Sequence, residues 1–295
     1  MIALFGPTGV GKTEIAVELA GLLRARGEDP VAVSADAIAV YEGLDVLAAK
    51  PASDQLEHRL VSCVPIDEEF SAGRFAALAH AEIDALLAAG RTPVVVGGTG
   101  LYLRAALTEL DLRPPVERDL REDLERELAQ AGPAALHERL SPATAAAVHP
   151  HDRKRIVRAL ELELAGTPPH DASAQLWSQD LRRPADLFGI VMDRDTLADR
   201  IASRVRGMLA GGAIDEVERA VERGASRTAR KALGFREVEA YLAGEASLAE
   251  VEDRIVRGHR AYVRRQLTWM RKLSGVEVID RTGMPARAVA ERVLG

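Results

Sequence analysis

A glycine-rich segment near the N-terminus carries the residue types that bind phosphate groups. Residues 6–13 read Gly-Pro-Thr-Gly-Val-Gly-Lys-Thr and match Gly-x-x-x-x-Gly-Lys-Ser/Thr, between an apolar run and a helical pattern. Consecutive backbone N–H groups of such a loop turn towards an anion, and the dipole of the following helix adds positive potential. Lys12 adds a charge, and the Thr13 hydroxyl can bind Mg²⁺. We therefore predict a diphosphate or triphosphate site formed by Gly6, Pro7, Thr8, Gly9, Val10, Gly11, Lys12 and Thr13.

An aspartate lies where the next apolar run ends. Asp36 follows residues 31–35, whereas the apolar run at 94–96 is followed by two glycines and Thr99. A typical P-loop ATPase holds Mg²⁺ with an acid from another core strand. Because no carboxylate follows residues 94–96, the loop alone does not show that ATP is the ligand. Asp36 fits a catalytic base or a residue that caps a turn.

The elements that position these residues alternate between strands and helices. A β-branched run stopped by glycines, as at 93–96, is typical of a buried parallel strand. This alternation predicts an α/β fold of the P-loop NTPase type, with a parallel sheet flanked by helices. Apolar runs predict strands at 2–5, 31–34, 60–64, 93–96, 188–192 and 276–279. Helical periodicity predicts helices at 14–26, 75–89, 101–110, 194–209, 213–223, 228–242 and 247–273, with a last helix from 285.

The middle of the chain shows a different pattern. Between residues 113 and 180 only helical segments occur, and prolines separate them. This predicts a smaller, all-helical insertion domain over 113–180, within an α/β core formed by 1–112 and 181–295.

Composition excludes several classes of protein. The chain has 295 residues and is 47% hydrophobic, which argues against disorder as the main state. It lacks an apolar run near the ~18 residues of a membrane span, and its first apolar stretch is too short for a signal peptide. The lone Cys63, in an apolar run, excludes an intramolecular disulfide and is expected to be buried. We expect a cytoplasmic monomer.

Three basic segments stand out against a formal net charge of −6. They lie at 153–158, 227–236 and 257–272, and the last contains six Lys or Arg side chains and no acid. A protein that is acidic overall can still bind a polyanion on one basic face.

Several motifs together resemble the tRNA dimethylallyltransferase family over nearly the whole chain. They include the phosphate loop, Gly-Gly-Thr-Gly-Leu-Tyr at 97–102, Ala-Leu-Gly-Phe-Arg-Glu at 232–237 and Arg-Arg-Gln-Leu-Thr-Trp-Met-Arg at 264–271. The resemblance implies transfer of a dimethylallyl group from dimethylallyl diphosphate to the N6 amine of the adenosine 3′-adjacent to the anticodon in tRNA.

The resemblance also implies roles for individual residues. It assigns the diphosphate, rather than ATP, to the phosphate loop, with Mg²⁺ at Thr13 and catalytic roles for Asp36, Thr99 and Lys12. An arginine, either Arg200 or Arg204, reaches the diphosphate. Contacts with the tRNA anticodon stem-loop are implied for Asp36, Ala37, Ile38, Ala39, Thr99, Lys154, Arg155, Ile156, Val157, Arg158, Arg230, Lys231, Arg264, Arg265, Gln266, Thr268, Trp269 and Arg271.

One segment departs from the family pattern. Family members usually show Asp-Ser-x-Gln, whereas residues 36–39 read Asp-Ala-Ile-Ala and lose a hydroxyl and an amide that help to fix the acceptor adenine. A site built to hydrogen-bond its substrate loses selectivity when a partner is removed. Recognition of the acceptor is then weaker, met by other residues or altered.

Three other functions stay open on sequence grounds. They are prenylation of free adenine nucleotides, a P-loop small-molecule kinase that uses Asp36 as base, and an RNA-binding protein without catalysis. The helical insertion and the basic C-terminal segment favour a large RNA acceptor. The segment at 97–102 argues against the kinase, and the intact Lys12, Asp36 and Thr99 argue against loss of catalysis.

Overall fold

The chain folds into two compact units, seen here in a computed structural model. The first unit comprises residues 1–109 and 177–295, and the second comprises residues 110–176. The structure describes residues 1–51, 54–113, 118–167, 176–178 and 180–295.

A parallel sheet forms the centre of the first unit. Its six strands lie in the order β3-β2-β4-β1-β5-β6. The predicted α/β class with a parallel sheet is confirmed. The strands are β1 (Ile2–Phe5), β2 (Pro30–Ala35), β3 (His58–Arg59), β4 (Thr92–Gly97), β5 (Asp186–Val191) and β6 (Val276–Asp280).

Eight α-helices among the described residues of the first unit flank or extend this sheet. Apolar side chains on one side of a helix are buried, as at Ile15, Leu19 and Leu23 of the first helix. Side-chain caps start several helices, including Ser247, which forms a capping box with Glu250. The helices are α1 (Lys12–Ala25), α2 (Ala72–Ala88), α3 (Gly100–Leu107), α7 (Arg194–Ala210), α8 (Ala213–Glu222), α9 (Phe235–Leu242), α10 (Leu248–Lys272) and α11 (Ala286–Leu294), with α4 to α6 in the second unit.

Strand register brings the candidate residues to one edge of the sheet. Phe5 of β1 and Ala35 of β2 both align with Gly97 of β4. The chain leaves these three parallel strands in the same direction, so the phosphate loop, Asp36 and Thr99 follow at neighbouring positions. This is the edge at which α/β folds usually bind ligands.

Two predicted elements were wrong. The third strand is His58–Arg59, not 60–64, because Leu60 and Ser62 have φ values of 59° and 49°, which a strand cannot contain. Cys63 is therefore exposed, not buried in a strand.

The other wrong element is the single helix predicted over 228–242. It is a 3₁₀ turn (Ala229–Lys231) followed by α9, since Gly234 between them has a φ of 98°. Such a backbone conformation interrupts a right-handed helix.

The second unit is helical in its described parts. It contains α4 (Arg118–His137), α5 (Pro142–Ala147) and α6 (Arg153–Leu164). Gly132, with a φ of 81°, kinks α4 just before Pro133. Leucines of α4 pack against α6, and the fully buried Glu161 forms ion pairs with Arg121 and Arg158.

None of the described helices is long and apolar enough to cross a membrane.

Candidate active site

The phosphate loop needs glycine at several positions. Gly9 and Gly11 have φ values of 81° and 89°, which side chains other than glycine rarely tolerate. A Cβ atom on Gly6 would lie 2.7 Å from the carbonyl oxygen of Ile190. The loop therefore closes tightly over the end of the sheet.

Two arginines hold the outer side of this loop. Nε of Arg200 donates to the carbonyl of Gly9 (2.9 Å), and Arg281 donates to the carbonyl of Val10 (2.6 Å). Both arginines also pair with Glu14. Because the Val10–Gly11 peptide is trans, the N–H of Gly11 points away from the side on which Arg281 binds the Val10 carbonyl.

Arg281 is a residue that the sequence analysis missed. It is 4% exposed and directly follows β6. Its distance from the loop in sequence leaves no local pattern that relates the two. Only the position just after a predicted strand could have suggested it.

Lys12 lies at the centre of the charged groups. Its Nζ donates to the carbonyls of Gly6 (2.9 Å) and Pro7 (3.0 Å). Burial lowers the pKa of Lys12 to about 8; the charge of Asp36 opposes this shift and that of Arg204 adds to it. A second negative charge, such as that of a diphosphate, would stabilise the protonated form of Lys12.

The surroundings of Asp36 are compatible with both roles that its sequence position suggested. Its Oδ1 accepts hydrogen bonds from the backbone N–H groups of Ile38 (2.9 Å) and Ala39 (3.2 Å). Its Oδ2 accepts none from any described residue. One oxygen caps the turn at 36–39, and the other is available to a proton donor.

Thr99 is held by a tyrosine of α10. The hydroxyls of Thr99 and Tyr262 lie 3.0 Å apart. Burial, followed by the charge of Asp36, raises the pKa of Tyr262 to about 12, so it stays protonated near neutral pH. Tyr262 was also missed, since a tyrosine within a basic segment carries no distinctive pattern.

The structure separates the two arginines that sequence could not. Arg200 is engaged by the Gly9 carbonyl and Glu14. Nε of Arg204 is buried without a hydrogen-bond partner among the described residues. Burial lowers the pKa of Arg204, while the charge of Asp36 acts to raise it.

Comparison with known proteins identifies the family. The family model for IPP transferase matches residues 39–273. The chain belongs to the IPP transferase family.

Individual members of the family match along the full length. A tRNA dimethylallyltransferase of Anaeromyxobacter dehalogenans is 42% identical over 99% of this chain and 98% of its own. Another, from Salinispora tropica, is 39% identical over 100% of this chain and 92% of its own. The crystal structure of the tRNA isopentenylpyrophosphate transferase of Bacillus halodurans shares 32% identity with a TM-score of 0.71, covering 100% and 95% of the two chains.

The candidate RNA contacts of this chain include side chains held in ion pairs and side chains that are exposed. Arg158 pairs with Glu161 and donates to the carbonyl of Arg113, and Arg230 pairs with Glu239. The exposed side chains are Lys154, Arg155, Lys231, Arg264, Arg265, Thr268 and Arg271.

Two of the predicted contacts need correction. Ile156 and Val157 are 0% and 2% exposed and pack in the apolar core of the second unit. Their side chains are therefore not available to RNA. The spacing of apolar residues in α6 turns both inward although they lie within a basic segment.

Two further candidates in α10 lie against the loops that follow β1 and β4. Gln266 is 3% exposed and bonds to Thr8 and Gly98, so its amide is already engaged. The ring of Trp269 packs against Gly100, where a Cβ atom would lie 2.4 Å from it, and lies 4.8 Å from the ring of Trp177.

The site offers few groups for a metal ion. Among the residues that the structure describes, no three His, Cys, Asp or Glu side chains form a cluster that could hold a metal. The Thr13 side chain at the start of α1 is exposed. A single hydroxyl fits Mg²⁺, which takes its other ligands from water and from phosphate oxygens.

Proposed function

We propose that this chain transfers a dimethylallyl group from dimethylallyl diphosphate to the N6 amine of the adenosine 3′-adjacent to the anticodon in tRNA. The observation that carries the proposal is the convergence of the phosphate loop, Asp36 and Thr99 at one edge of the sheet. The names of the relatives, tRNA dimethylallyltransferase, support it.

The phosphate loop binds the diphosphate, which is the leaving group. In the reaction the bond between the allylic carbon and the diphosphate oxygen breaks, and negative charge grows on the diphosphate. Lys12, the N–H groups that face inward and Arg204 stabilise this charge. The buried and unpaired Nε of Arg204 favours it over Arg200 for this role. Mg²⁺ at Thr13, when bound, neutralises part of the same charge.

Asp36 acts as the base. The N6 amine of adenine is a poor nucleophile because its lone pair is delocalised into the ring. As the new C–N bond forms, the amine proton passes to Oδ2 of Asp36, a transfer of the kind that contributes about 10²–10⁴-fold to a rate. The hydroxyl of Thr99, held by Tyr262, lies beside the reacting groups and orients them.

The acceptor is held by basic side chains and by the turn after β2. An adenosine in a single-stranded anticodon loop costs less to extrude than one in a duplex. Exposed basic residues of each unit bind RNA phosphates, and Arg158 and Arg230 contribute from within their ion pairs. Trp269, whose ring packs against Gly100, also contributes to acceptor binding.

Residues 37–39 offer the base fewer hydrogen-bonding groups than a Ser-x-Gln segment would. Ala37, Ile38 and Ala39 offer backbone groups and apolar contact only, and the N–H groups of Ile38 and Ala39 are taken by Asp36. We propose that other residues supply the polar recognition of the base. We further propose a monomer that acts in the cytoplasm; a mass measurement in solution checks the first point.

The deciding experiment separates the proposed activity from the alternatives. The protein is incubated with labelled dimethylallyl diphosphate and either unmodified tRNA or adenosine monophosphate, and the nucleosides are analysed by mass. Prenylated adenosine from tRNA alone is expected. Prenylation of the mononucleotide would favour a nucleotide prenyltransferase. Phosphoryl transfer from ATP without any prenylated product would overturn the proposal.

A further inference from the structure

One face of α10 contacts three successive residues of the turn after β4. Tyr262, Gln266 and Trp269 have i, i+4, i+7 spacing and so share a side of the helix. Gln266 bonds to Gly98, the Tyr262 hydroxyl lies 3.0 Å from that of Thr99, and the Trp269 ring packs on Gly100. We call residues 98–100 the Thr99 turn.

Gln266 also reaches the phosphate loop. Its Oε1 accepts a hydrogen bond from the N–H of Thr8 (3.0 Å), and its Nε2 donates to the carbonyl of Gly98 (2.8 Å). The side chain is 3% exposed, so water does not readily replace either bond. One amide thus joins two loops that leave adjacent strands of the sheet.

We propose that Gln266 is a positioning residue: its amide joins the phosphate loop to the Thr99 turn and sets the geometry in which the diphosphate is bound. Tyr262 complements it by orienting the Thr99 hydroxyl. This inference rests on the proposed function, because it concerns the same diphosphate. It assigns to Gln266 a task within the catalytic site, in place of reading a base.

The chemistry of the pair of bonds demands an amide. Thr8 offers a donor and Gly98 an acceptor, and an amide carries one group of each kind on a single planar unit. Leucine supplies neither. A glutamate carboxylate can still accept the hydrogen bond from Thr8, but it has no donor for the carbonyl of Gly98, and its second oxygen repels that carbonyl. A protonated glutamate restores both bonds, because its hydroxyl donates.

The two loops lie so close together that the hydrogen bonds of Gln266 couple their positions. A Cβ atom on Gly98 would lie 2.4 Å from Nε2 of Gln266, 3.1 Å from the Gly6 carbonyl and 3.5 Å from Nζ of Lys12. A shift of the Thr99 turn would therefore displace both Gly6, at the start of the phosphate loop, and Lys12, near its end. Loss of the joint should weaken diphosphate binding before it weakens RNA binding.

The test compares Gln266→Leu, Gln266→Glu and Tyr262→Phe with the wild type. Calorimetry gives the affinity for inorganic pyrophosphate, and single-turnover assays give the transfer rate. We expect Gln266→Leu to lose about tenfold in pyrophosphate affinity, since two buried polar groups lose their partner. Tyr262→Phe should keep that affinity and lose several-fold in transfer rate. The matched control is Gln130→Glu, the same change at an exposed position of α4.

The pH profile of Gln266→Glu supplies a readout that general destabilisation would not give. Burial raises the pKa of a carboxyl group, so the introduced acid becomes protonated as pH falls. Relative to wild type, its pyrophosphate affinity should be poor at pH 8 and recover towards pH 6. This variant keeps the shape of the side chain, so it tests the inference even if Gln266→Leu does not fold.

The outcomes separate this inference from the proposed function. Wild type that neither binds pyrophosphate nor prenylates tRNA would sink the proposed function itself. Active wild type together with a Gln266→Glu variant of unchanged affinity at every pH would overturn the inference alone. Equal losses of pyrophosphate and RNA affinity in Gln266→Leu would also overturn it, since they would show a general defect.

Discussion

The two oxygens of the Asp36 carboxylate have different surroundings. Two backbone N–H groups occupy Oδ1, while Oδ2 accepts no hydrogen bond from the described part of the chain. Because an asparagine keeps an oxygen for the turn but cannot take a proton, substitution can remove the base without removing the cap. An alanine removes both.

Asp36→Asn should therefore lose transfer activity and keep its fold. We expect the rate of prenylation to fall by about 10²–10⁴-fold, with thermal stability and RNA affinity close to wild type. Asp36→Ala should show the same loss of rate and a lower melting temperature. Wild-type rates in the asparagine variant would remove Asp36 as the base.

Donor binding should depend on pH through Lys12. The free protein holds this lysine at a pKa of about 8, and a diphosphate favours its charged form. Below pH 8 the ionisation of Lys12 should contribute no pH dependence to the affinity for dimethylallyl diphosphate. Above pH 8 it should fall by up to about tenfold per pH unit, because binding must take up a proton.

Calorimetry between pH 6.5 and pH 9.5 checks this dependence, with Lys12→Met as the control. The methionine variant binds more weakly and lacks the decline above pH 8. If both proteins show the same profile, the ionisation belongs to another group.

Sequence reasoning at this scale found the residues with local signatures. The phosphate loop, Asp36 and Thr99 each follow a recognisable strand. Arg281 also follows a predicted strand, but no local pattern relates it to the phosphate loop, and Tyr262 has no signature. Both residues meet the loops only through the tertiary fold.

Among the elements, α10 shows how one motif can serve two surfaces. Tyr262, Gln266 and Trp269 face the loops that follow β1 and β4. The exposed side chains of the motif at 264–271 are Arg264, Arg265, Thr268 and Arg271. The sequence suggested RNA contacts for six residues of the motif at 264–271, on both of these faces, and did not single out Tyr262. Helical periodicity shows that such residues divide between faces, but it does not tell which face packs on what.

Close packing of α10 explains why glycine occupies position 100. A Cβ atom there would lie 2.4 Å from the Trp269 ring, which is rigid. Gly100→Ala should therefore lower the unfolding free energy by about 1–3 kcal/mol, as overpacking does. Thermal and denaturant unfolding measure it, and a Trp269→Ala background should reduce the cost, since the two residues are in contact.

The control for this prediction is Gly21→Ala in α1. No heavy atom lies within 4 Å of the added Cβ at that position. Because glycine is unfavourable inside a helix, this change should stabilise the protein by about 0.5–1 kcal/mol. A Gly100→Ala variant as stable as Gly21→Ala would contradict the packing argument.

The strand prediction failed where the element is shortest. β3 has two residues, His58 and Arg59, and neither is apolar. Because apolar residues occur within 60–64, the predicted strand starts two residues after the observed one. Burial of single side chains, such as Leu60 in a bend and Val64 in an isolated β-bridge with Tyr41, produces the same apolar signal as a strand.

For the whole molecule, charge distribution matters more than net charge. The protein carries −6 overall, yet exposed basic side chains lie along α10. RNA affinity should fall steeply with salt, because each neutralised phosphate releases counterions. Arg264→Gln should reduce the slope of log affinity against log salt by about 0.7.

Binding of an anticodon stem-loop at several salt concentrations measures this slope. Arg287→Gln is the control, since Arg287 is exposed in α11 and pairs with Glu291 (2.9 Å). A flat salt response in the wild type would remove phosphate contacts from the account of RNA binding.

The α/β class and the parallel sheet could be predicted because strands and helices alternate with clear periodicity. The helical segment between 113 and 180 also has a distinct pattern, and a compact unit over 110–176 is present in the structure. The strand order could not be read from the chain, since it depends on which crossovers pack together.

Arg281 holds the carbonyl of Val10 across 271 positions of sequence. During synthesis the phosphate loop is made long before Arg281, which fixes one of its peptides, and before β6, the strand that precedes Arg281. A nascent or truncated chain ending before β6 would carry the complete phosphate-loop sequence without its supporting arginine. Such a chain should bind isoprenoid diphosphates poorly, so capture of the donor would wait until β6 and Arg281 have been made.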